Sequence, residues 1–163
     1  MRTRGSASRR AIPRARPRIV SSELVRSRSD EIADAVARRA YDLYERRGRA
    51  HGHHDEDWRQ AVSELVFPVA VTVSDAGPCL TVEAAVPGFD ACDVEVCVEP
   101  RRVTIAGQRK SGEALGAEWM MRMYRAVELP EEVVVGEVVA AVEDGVVAVT
   151  LRKVGASEGG LAD

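Results

Sequence analysis

The chain has 163 residues, enough for one ordinary domain with an accessory segment, and its net charge of −3 is unevenly distributed. Residues 1–28 carry nine arginines against one acidic residue, Glu23. No stretch approaches the ~20 apolar residues of a membrane span, no apolar segment follows the arginines as in a secretory signal, and three cysteines without paired spacing indicate reduced thiols in a cytoplasmic protein.

Residues 1–28 are rich in Arg, Ser and Pro and have no sustained hydrophobic period, which predicts a disordered basic tail. A tail of this kind is a candidate for binding nucleic acid or other polyanions. The arginines lack the interleaved aromatic residues that stack on bases, which disfavours nucleic acid as the partner.

Residues 29–66 predict a helical hairpin domain. Apolar residues recur at helical spacing over residues 30–47, Ser29 is a candidate N-cap, and Gly48 can adopt the left-handed conformation that ends a helix. A second amphipathic helix is predicted to start near Asp55. The shared apolar face is small, so we expect the hairpin to pack on something else or to be only marginally stable.

From Phe67 the hydrophobic period changes from 3.6 to 2, and residues 67–153 contain about seven short alternating segments separated by turn residues. Asp144-Gly145 suits the type I′ turn of a hairpin, and residues 107–117 predict a loop before a longer strand over residues 118–128. The predicted fold is mainly β, an immunoglobulin-like antiparallel β-sandwich preceded by the helical hairpin. Residues 154–163 predict a disordered C-terminal tail.

The sequence predicts neither an enzyme nor a cofactor site. It has no phosphate-binding loop pattern and no nucleophile elbow. The three histidines and two nearby acidic residues form one metal-like cluster, which consists of His51, His53, His54, Asp55 and Asp57. A structural zinc site needs four fixed ligands, and no cysteine lies near. A solvated loop is therefore favoured over weak zinc or nickel binding, and no metal is predicted.

Three segments of the β region carry a family resemblance. They are Val86-Pro87-Gly88-Phe89 followed by Asp93-Val94-Glu95-Val96, Tyr124-Arg125 leading to Glu128-Leu129-Pro130-Glu131-Glu132-Val133, and Ala140-Ala141-Val142-Glu143-Asp144-Gly145-Val146-Val147. Together and in this order they resemble the alpha-crystallin domain of small heat-shock proteins, over residues 69–153. Residues 30–66 resemble a short bacterial helical domain of unknown function, which implies a bacterial source but no activity.

The resemblance implies an ATP-independent holdase chaperone that binds partly unfolded proteins and assembles from dimers. The C-terminal tail lacks the Ile-x-Ile/Val motif with which members dock into a neighbour, and the loop over residues 108–124 is short. We therefore expect a homodimer or a small homo-oligomer. The strand over residues 118–128 is the candidate dimer edge, with Trp119, Met121 and Met123 as adaptable apolar contacts. Ordinary core packing of these side chains is the favoured alternative.

The same resemblance places a binding groove between the strand of Val94 and the strand of Val139, and the candidate groove residues are Val94, Val96, Val139 and Ala141. For each of the four, burial in the core of the sandwich is the alternative. The residues support a covered surface independently, because residues 138–142 and 146–149 are apolar on both faces, whereas a strand with one wet face alternates. The second face is covered either by the chain's own helical hairpin, by a partner subunit, or by extended segments of unfolded proteins.

The leading hypothesis from the sequence is a cytoplasmic, stress-related holdase that binds exposed apolar segments of partly unfolded client proteins. One alternative is an adaptor that uses the same sandwich for a single dedicated partner, with the helical hairpin as its docking piece. The other is a nucleic-acid-associated protein that uses the arginine-rich tail.

Overall fold

A computed structural model describes residues 15–111 and 119–156. Residues 1–14 of the predicted basic tail, residues 157–163 of the predicted C-terminal tail and most of the predicted loop lie outside the described residues. Within them the predicted architecture is confirmed: two β-sheets packed face to face, preceded by two helices.

The first helix is longer than predicted. Strand β1 (Arg18–Ile19) comes before helix α1 (Ser22–Arg46), which is capped by Ser21, whose hydroxyl accepts a hydrogen bond from the Leu24 amide at 3.3 Å. The predicted start at Ser29 and the predicted disorder of the tail are therefore wrong for residues 15–28. The predicted end is confirmed, because Gly48 follows the helix with a φ of 75°.

The second helix, α2 (His54–Leu65), begins one residue before the predicted Asp55, and the two helices form the predicted hairpin. Two ion pairs join them. Arg39 Nε lies 2.6 Å from a Glu64 carboxylate oxygen, and Arg47 Nη2 lies 2.7 Å from Oδ1 of Asp57, which is buried. These polar contacts supplement an apolar interface that is small, as expected.

The remaining strands form two sheets. They are β2 (Val66–Phe67), β3 (Ala70–Ala76), β4 (Cys79–Ala85), β5 (Val94–Glu99), β6 (Arg102–Ser111), β7 (Trp119–Glu128), β8 (Val133–Glu143) and β9 (Val146–Lys153). One sheet has the order β1-β5-β6-β7-β2 and the other β3-β4-β9-β8. Strands β3 to β9 are the seven predicted from alternation, and they pair antiparallel wherever they neighbour one another.

The core lies between the facing sides of the two sheets and consists mostly of valine. Alternate residues of each strand point inward, as period-2 patterning requires. The fully buried members include Leu80, Val82, Val94, Val96, Val103, Ile105, Val147, Val149 and Leu151. The hairpin between β8 and β9 turns at Asp144 and Gly145, whose φ angles of 51° and 75° match the predicted type I′ turn.

Two strand boundaries differ from prediction. Strand β6 continues to Ser111 through Gly107, where a loop was predicted, because Gly107 pairs with Val94 and lets the backbone approach Asp93 closely. Strand β8 begins at Val133 rather than Glu137, and its pairing with β9 shifts register between Val133 and Val138. That shift breaks the alternation on which the prediction depended.

The N-terminal elements cover the outer edges of β5 and β7, the two sides of the central strands of the five-stranded sheet. Strand β1 pairs in parallel with β5, and β2 pairs in parallel with β7. Helix α1 contacts β5, β6 and β7. Because open strand edges invite pairing with other chains, this arrangement protects the edges of one sheet from such pairing.

Substitution of Gly107 tests the close approach of β6 to Asp93. A Cβ at this position would lie 2.6 Å from the Asp93 carbonyl oxygen and 2.6 Å from Met123 Cε, so we expect Gly107→Ala to lower the free energy of unfolding by about 1–3 kcal/mol. Urea unfolding measures this. Gly136→Ala is the control, because a Cβ there meets nothing within 4 Å. Equal midpoints for the two variants would contradict the packing.

The Arg39–Glu64 pair predicts an acid-dependent loss of stability. The hydrogen bond from Arg39 lowers the pKa of Glu64 below its ordinary value. A lowered folded-state pKa contributes stability above the unfolded-state pKa and loses it as the pH falls through the folded-state value. Glu64→Gln should therefore flatten the fall in unfolding free energy between about pH 5 and pH 3. Glu83→Gln, an exposed change on β4, should leave that slope as in the parent.

Candidate functional site

The predicted groove lies between β5 and β8, and its four candidate residues are placed differently. Val94 and Val96 are fully buried between the sheets. Val139 is 68% exposed, and Ala141 is half-buried on the same face of β8. The structure therefore does not bring the four side chains onto one surface, and their contact with a client stays a prediction.

Residues 15–20, here called the N-terminal strap, occupy part of this groove. At one end the Val142 amide of β8 donates a 2.8 Å hydrogen bond to the Ala15 carbonyl. At the other end Arg18 and Ile19 pair with Glu95 and Val96 of β5, and the Val20 amide donates to the Val96 carbonyl at 2.9 Å. The strap thus crosses from an edge of one sheet to an edge of the other.

Apolar surface remains exposed beside the strap. Ile19, Val135 and Val139 are 56%, 46% and 68% exposed, and we call them the apolar seam. Ile19 lies between two clefts. One, of about 170 Å³, contains Pro17 and Val139, and the other, of about 300 Å³, contains Val20, Cys97 and Val135. The strap therefore covers the backbone edge of β5 and leaves apolar side chains accessible on both sides of Ile19.

A buried carboxylate holds the strap and α1 on β5. The side chain of Glu95 is only 3% exposed, although it points away from the sandwich core. Its Oε1 accepts hydrogen bonds from Arg18 Nη2 at 2.8 Å and from Arg28 Nη2 at 3.0 Å, and its Oε2 accepts from Arg28 Nε at 3.3 Å. The bond to Glu95 raises the pKa of Arg28 above its ordinary value. Without such donors a buried carboxylate would carry a large desolvation cost.

The thiol of Cys97 lies beneath the same cover. Cys97 follows Glu95 by two residues, shares its face of β5, and is 2% exposed. It lines the cleft that Ser21 and Ser22 bound at the beginning of α1. Burial, with a smaller contribution from Glu99, raises the pKa of Cys97, so the thiolate is disfavoured while the cover is in place. The reactivity of the Cys97 thiol therefore shows whether α1 is packed on β5.

The candidate dimer edge on β7 is used in part within the chain. Strand β2 pairs with Arg122 and Met123, and the Met123 side chain is fully buried. Met121 is half-buried, and the Trp119 backbone pairs with Ser111. The role of these residues in a dimer stays a prediction, and an edge-to-edge dimer through Arg122 and Met123 would require β2 to leave.

The histidine loop forms a small aromatic cluster at the end of the hairpin. The rings of His51 and His54 both lie 6.2 Å from the ring of Tyr44, and His53 Nδ1 lies 3.1 Å from a carboxylate oxygen of Glu56. Asp57, which the sequence placed in the metal-like cluster, is paired with Arg47 instead. These contacts close the connection between the helices.

One group of possible metal ligands lies elsewhere among the described residues: Asp90, Cys92 and Asp93. The carboxylates of Asp90 and Asp93 form a capping box on the helical turn Ala91–Asp93. That capping accounts for their closeness.

No helix in the described part of the chain is long and apolar enough to cross a membrane.

Comparisons with known proteins give two family matches. The model of the Hsp20/alpha crystallin family matches residues 74–159, more than half of the chain. The model described as Protein of unknown function (DUF2934) matches residues 31–65. No curated protein matches the sequence.

Several solved structures are similar to the sandwich. Heat shock protein 16.0 from Schizosaccharomyces pombe is 20% identical, covers 56% of this chain and 92% of its own, and gives a TM-score of 0.46. The hspA protein from Xanthomonas axonopodis is 22% identical over 56% of this chain and 97% of its own, with a TM-score of 0.46. The rat alpha crystallin domain is 17% identical over 58% and 98%, with a TM-score of 0.43.

Removal of one guanidinium group from Glu95 should loosen the cover of Cys97. In a chain whose other two cysteines are serine, we expect Arg28→Gln to speed alkylation of Cys97 by about ten-fold, because a hydrogen bond to a charged group contributes about 1.5–3 kcal/mol and its loss favours local opening. Mass spectrometry of timed alkylation measures the rate.

The matched control is Arg26→Gln, an exposed change on the same helix. It should leave the alkylation rate within about two-fold of the parent, because most surface substitutions change stability little. Equal rates in the two variants would show that Glu95 does not hold α1 in place.

Proposed function

This chain belongs to the Hsp20/alpha crystallin family, and we propose that it is an ATP-independent holdase chaperone of the small heat-shock type. In this proposal it binds exposed apolar segments of partly unfolded client proteins and limits their aggregation. The proposed setting is the bacterial cytoplasm under stress, and the free state of all three cysteines is compatible with it.

The observation that carries the proposal is the apolar seam, which lies where a strand of only two residues pairs with β5. Ile19, Val135 and Val139 lie exposed next to the edges of β5 and β8. An extended client segment that replaced the strap would pair its backbone with β5, and its apolar side chains would take the place of Ile19 and cover Val135 and Val139. Large apolar residues exposed side by side are typical of an interaction surface.

The strap is short enough to be displaced. It pairs with β5 through two residues, and it makes one bridge to β8. A client that buries ~400 Å² of apolar surface gains roughly 10 kcal/mol gross at ~25 cal/mol/Å², and the costs of association and ordering remove much of this. The remainder suits micromolar binding, which reverses without a nucleotide-driven motor.

The arrangement of open and covered strand edges supports assembly into a homodimer or a small homo-oligomer. Strands β1 and β2 occupy the outer edges of β5 and β7. Among the described residues, β3 pairs on one side only, with β4, so its other edge is available to a second copy. This arrangement leaves fewer edges for assembly than an uncovered sandwich would offer.

The adaptor alternative is supported by one observation on the helical hairpin. Tyr41 and Trp58 are 55% and 47% exposed there, and exposed aromatic residues are enriched at interfaces. Recovery of one stoichiometric partner, rather than many clients, would favour the adaptor. Two of the arginines on which the nucleic-acid alternative depends, Arg18 and Arg28, are paired with Glu95, and that alternative stays a prediction.

A substitution in the apolar seam tests the proposal. We expect Val139→Ser to require about five-fold more protein for equal suppression of aggregation, because an apolar side chain that a client covers contributes about 1–2 kcal/mol. Light scattering of a heated thermolabile enzyme, with and without the protein, measures this effect.

The control is Val146→Ser at the β8–β9 turn, where a valine is 37% exposed outside both clefts. It should suppress aggregation like the parent. If the parent leaves scattering unchanged even in molar excess over the enzyme, the holdase proposal is wrong.

A further inference from the structure

We propose that the edge of β5 selects its ligands by charge. The site takes extended segments in which an arginine directly precedes a β-branched apolar residue, and Arg18-Ile19 of the strap is the resident occupant. This inference rests on the proposed function, because it names the class of client segment that the groove prefers.

The buried carboxylate of Glu95 is the selective element. It receives one guanidinium group from α1, through Arg28, and a second from the strap, through Arg18. When the strap leaves, Arg28 stays with its helix, but the position of Arg18 is vacated. An incoming segment with a cation there restores the second donor. A neutral residue leaves a buried carboxylate short of a partner, and an acidic residue adds repulsion.

The pairing register supplies the second half of the recognition. Arg18 lies opposite Glu95, and Ile19 lies opposite Val96. Successive side chains of a strand point to opposite faces, so a segment in this register directs its arginine to Glu95 and its next residue to the other side. There Ile19 lines both clefts, with Val139 in one and Val135 in the other.

A backbone hydrogen bond adds a third requirement. The residue after the apolar position must carry an amide proton, because the Val20 amide donates to the Val96 carbonyl at 2.9 Å. Proline at that position has no proton to donate. The preferred segment is therefore arginine, then isoleucine or valine, then any residue except proline, in an extended conformation parallel to β5.

The ion pair that is lost when the strap leaves is one that water can reach. Arg18 is 59% exposed in its side chain, whereas Glu95 is 3% exposed. The carboxylate is thus fixed and shielded while its strap partner remains free to exchange with solvent. Such a pair discriminates between ligands more than it stabilises the closed state.

The test uses fluorescent peptides and the full chain. The acceptor is the Arg18→Gln protein, in which the resident strap is weakened but Glu95 and Arg28 remain. The probes are a peptide of residues 15–21 and the same peptide with Arg18→Gln, Arg18→Glu or an N-methyl group on Val20. The strap lowers every apparent affinity by the same factor, so ratios of Kd between peptides report on the site alone.

We expect the parent peptide to bind at least five-fold more tightly than the Arg18→Gln peptide, and the Arg18→Glu peptide to bind most weakly. In the Arg18→Gln/Glu95→Gln acceptor the ratio of Kd between the parent and Arg18→Gln peptides should fall below two. N-methylation of Val20 in the peptide should weaken binding at least five-fold. This comparison uses the acceptor with Glu95 intact, so it remains informative if the Arg18→Gln/Glu95→Gln acceptor does not fold.

Equal Kd values for the parent and Arg18→Gln peptides, a ratio that survives Glu95→Gln, or no binding of the parent peptide would each overturn the inference. Suppression of aggregation by the same acceptor is measured in parallel. If the acceptor suppresses aggregation but binds all the peptides equally, only the charge-selective site is contradicted, and the holdase proposal stands. Selective peptide binding without any suppression contradicts the holdase proposal and leaves the site in place.

Discussion

The edge of a valine-rich sandwich is the constraint around which this molecule is organised. Strand β5 places Val94 and Val96 in the core and turns Glu95 and Cys97 toward the opposite face. A carboxylate buried on that face is stable only while cations reach it. Arg28 from α1 and Arg18 from the strap supply them. One acidic side chain thus couples the seating of a helix to the closure of a strand edge, and the accessibility of the groove follows from that coupling.

This coupling gives the helical module a role that its sequence alone does not suggest. Strand β1, the two helices and β2 run across the five-stranded sheet and protect both of its edges. Inside the hairpin, two ion pairs, Arg39 with Glu64 and Arg47 with Asp57, supplement a small apolar interface. A cover of this kind opens in parts, because its contacts with the sandwich are fewer than those inside the sandwich. The proposed chaperone is therefore closed at rest, and its client site opens without unfolding of the two sheets.

Alternation and turn chemistry were sufficient to predict strands β3 to β9, the Asp144-Gly145 turn and the hairpin of helices, because each depends on local spacing.

The strap was not predictable in this way. Its arginines and prolines are typical of disordered segments, and tertiary partners order it: the Glu95 carboxylate and the backbones of β5 and β8. Glu95 itself alternates with valines as a solvent-facing residue does, so the pattern gives no sign that it is buried. The predicted groove between the strands of Val94 and Val139 stays a prediction, and Val94 and Val96 fill the core, because period 2 does not reveal which face of a strand lies in the core and which face a neighbouring segment covers.

Native-state hydrogen exchange tests the central claim most directly. Two amides report on the strap: Val20, which donates to the Val96 carbonyl, and Val142, which donates to the Ala15 carbonyl. If the strap is a displaceable cover, both amides exchange through a local opening whose free energy lies well below that of the Ile105 amide, which belongs to a fully buried core residue on β6. A saturating client segment then leaves the Val20 and Val142 amides unprotected and does not change the exchange of Ile105. If Val20, Val142 and Ile105 share one opening free energy, the strap is an integral part of the sandwich, and the groove beneath it is not a binding site.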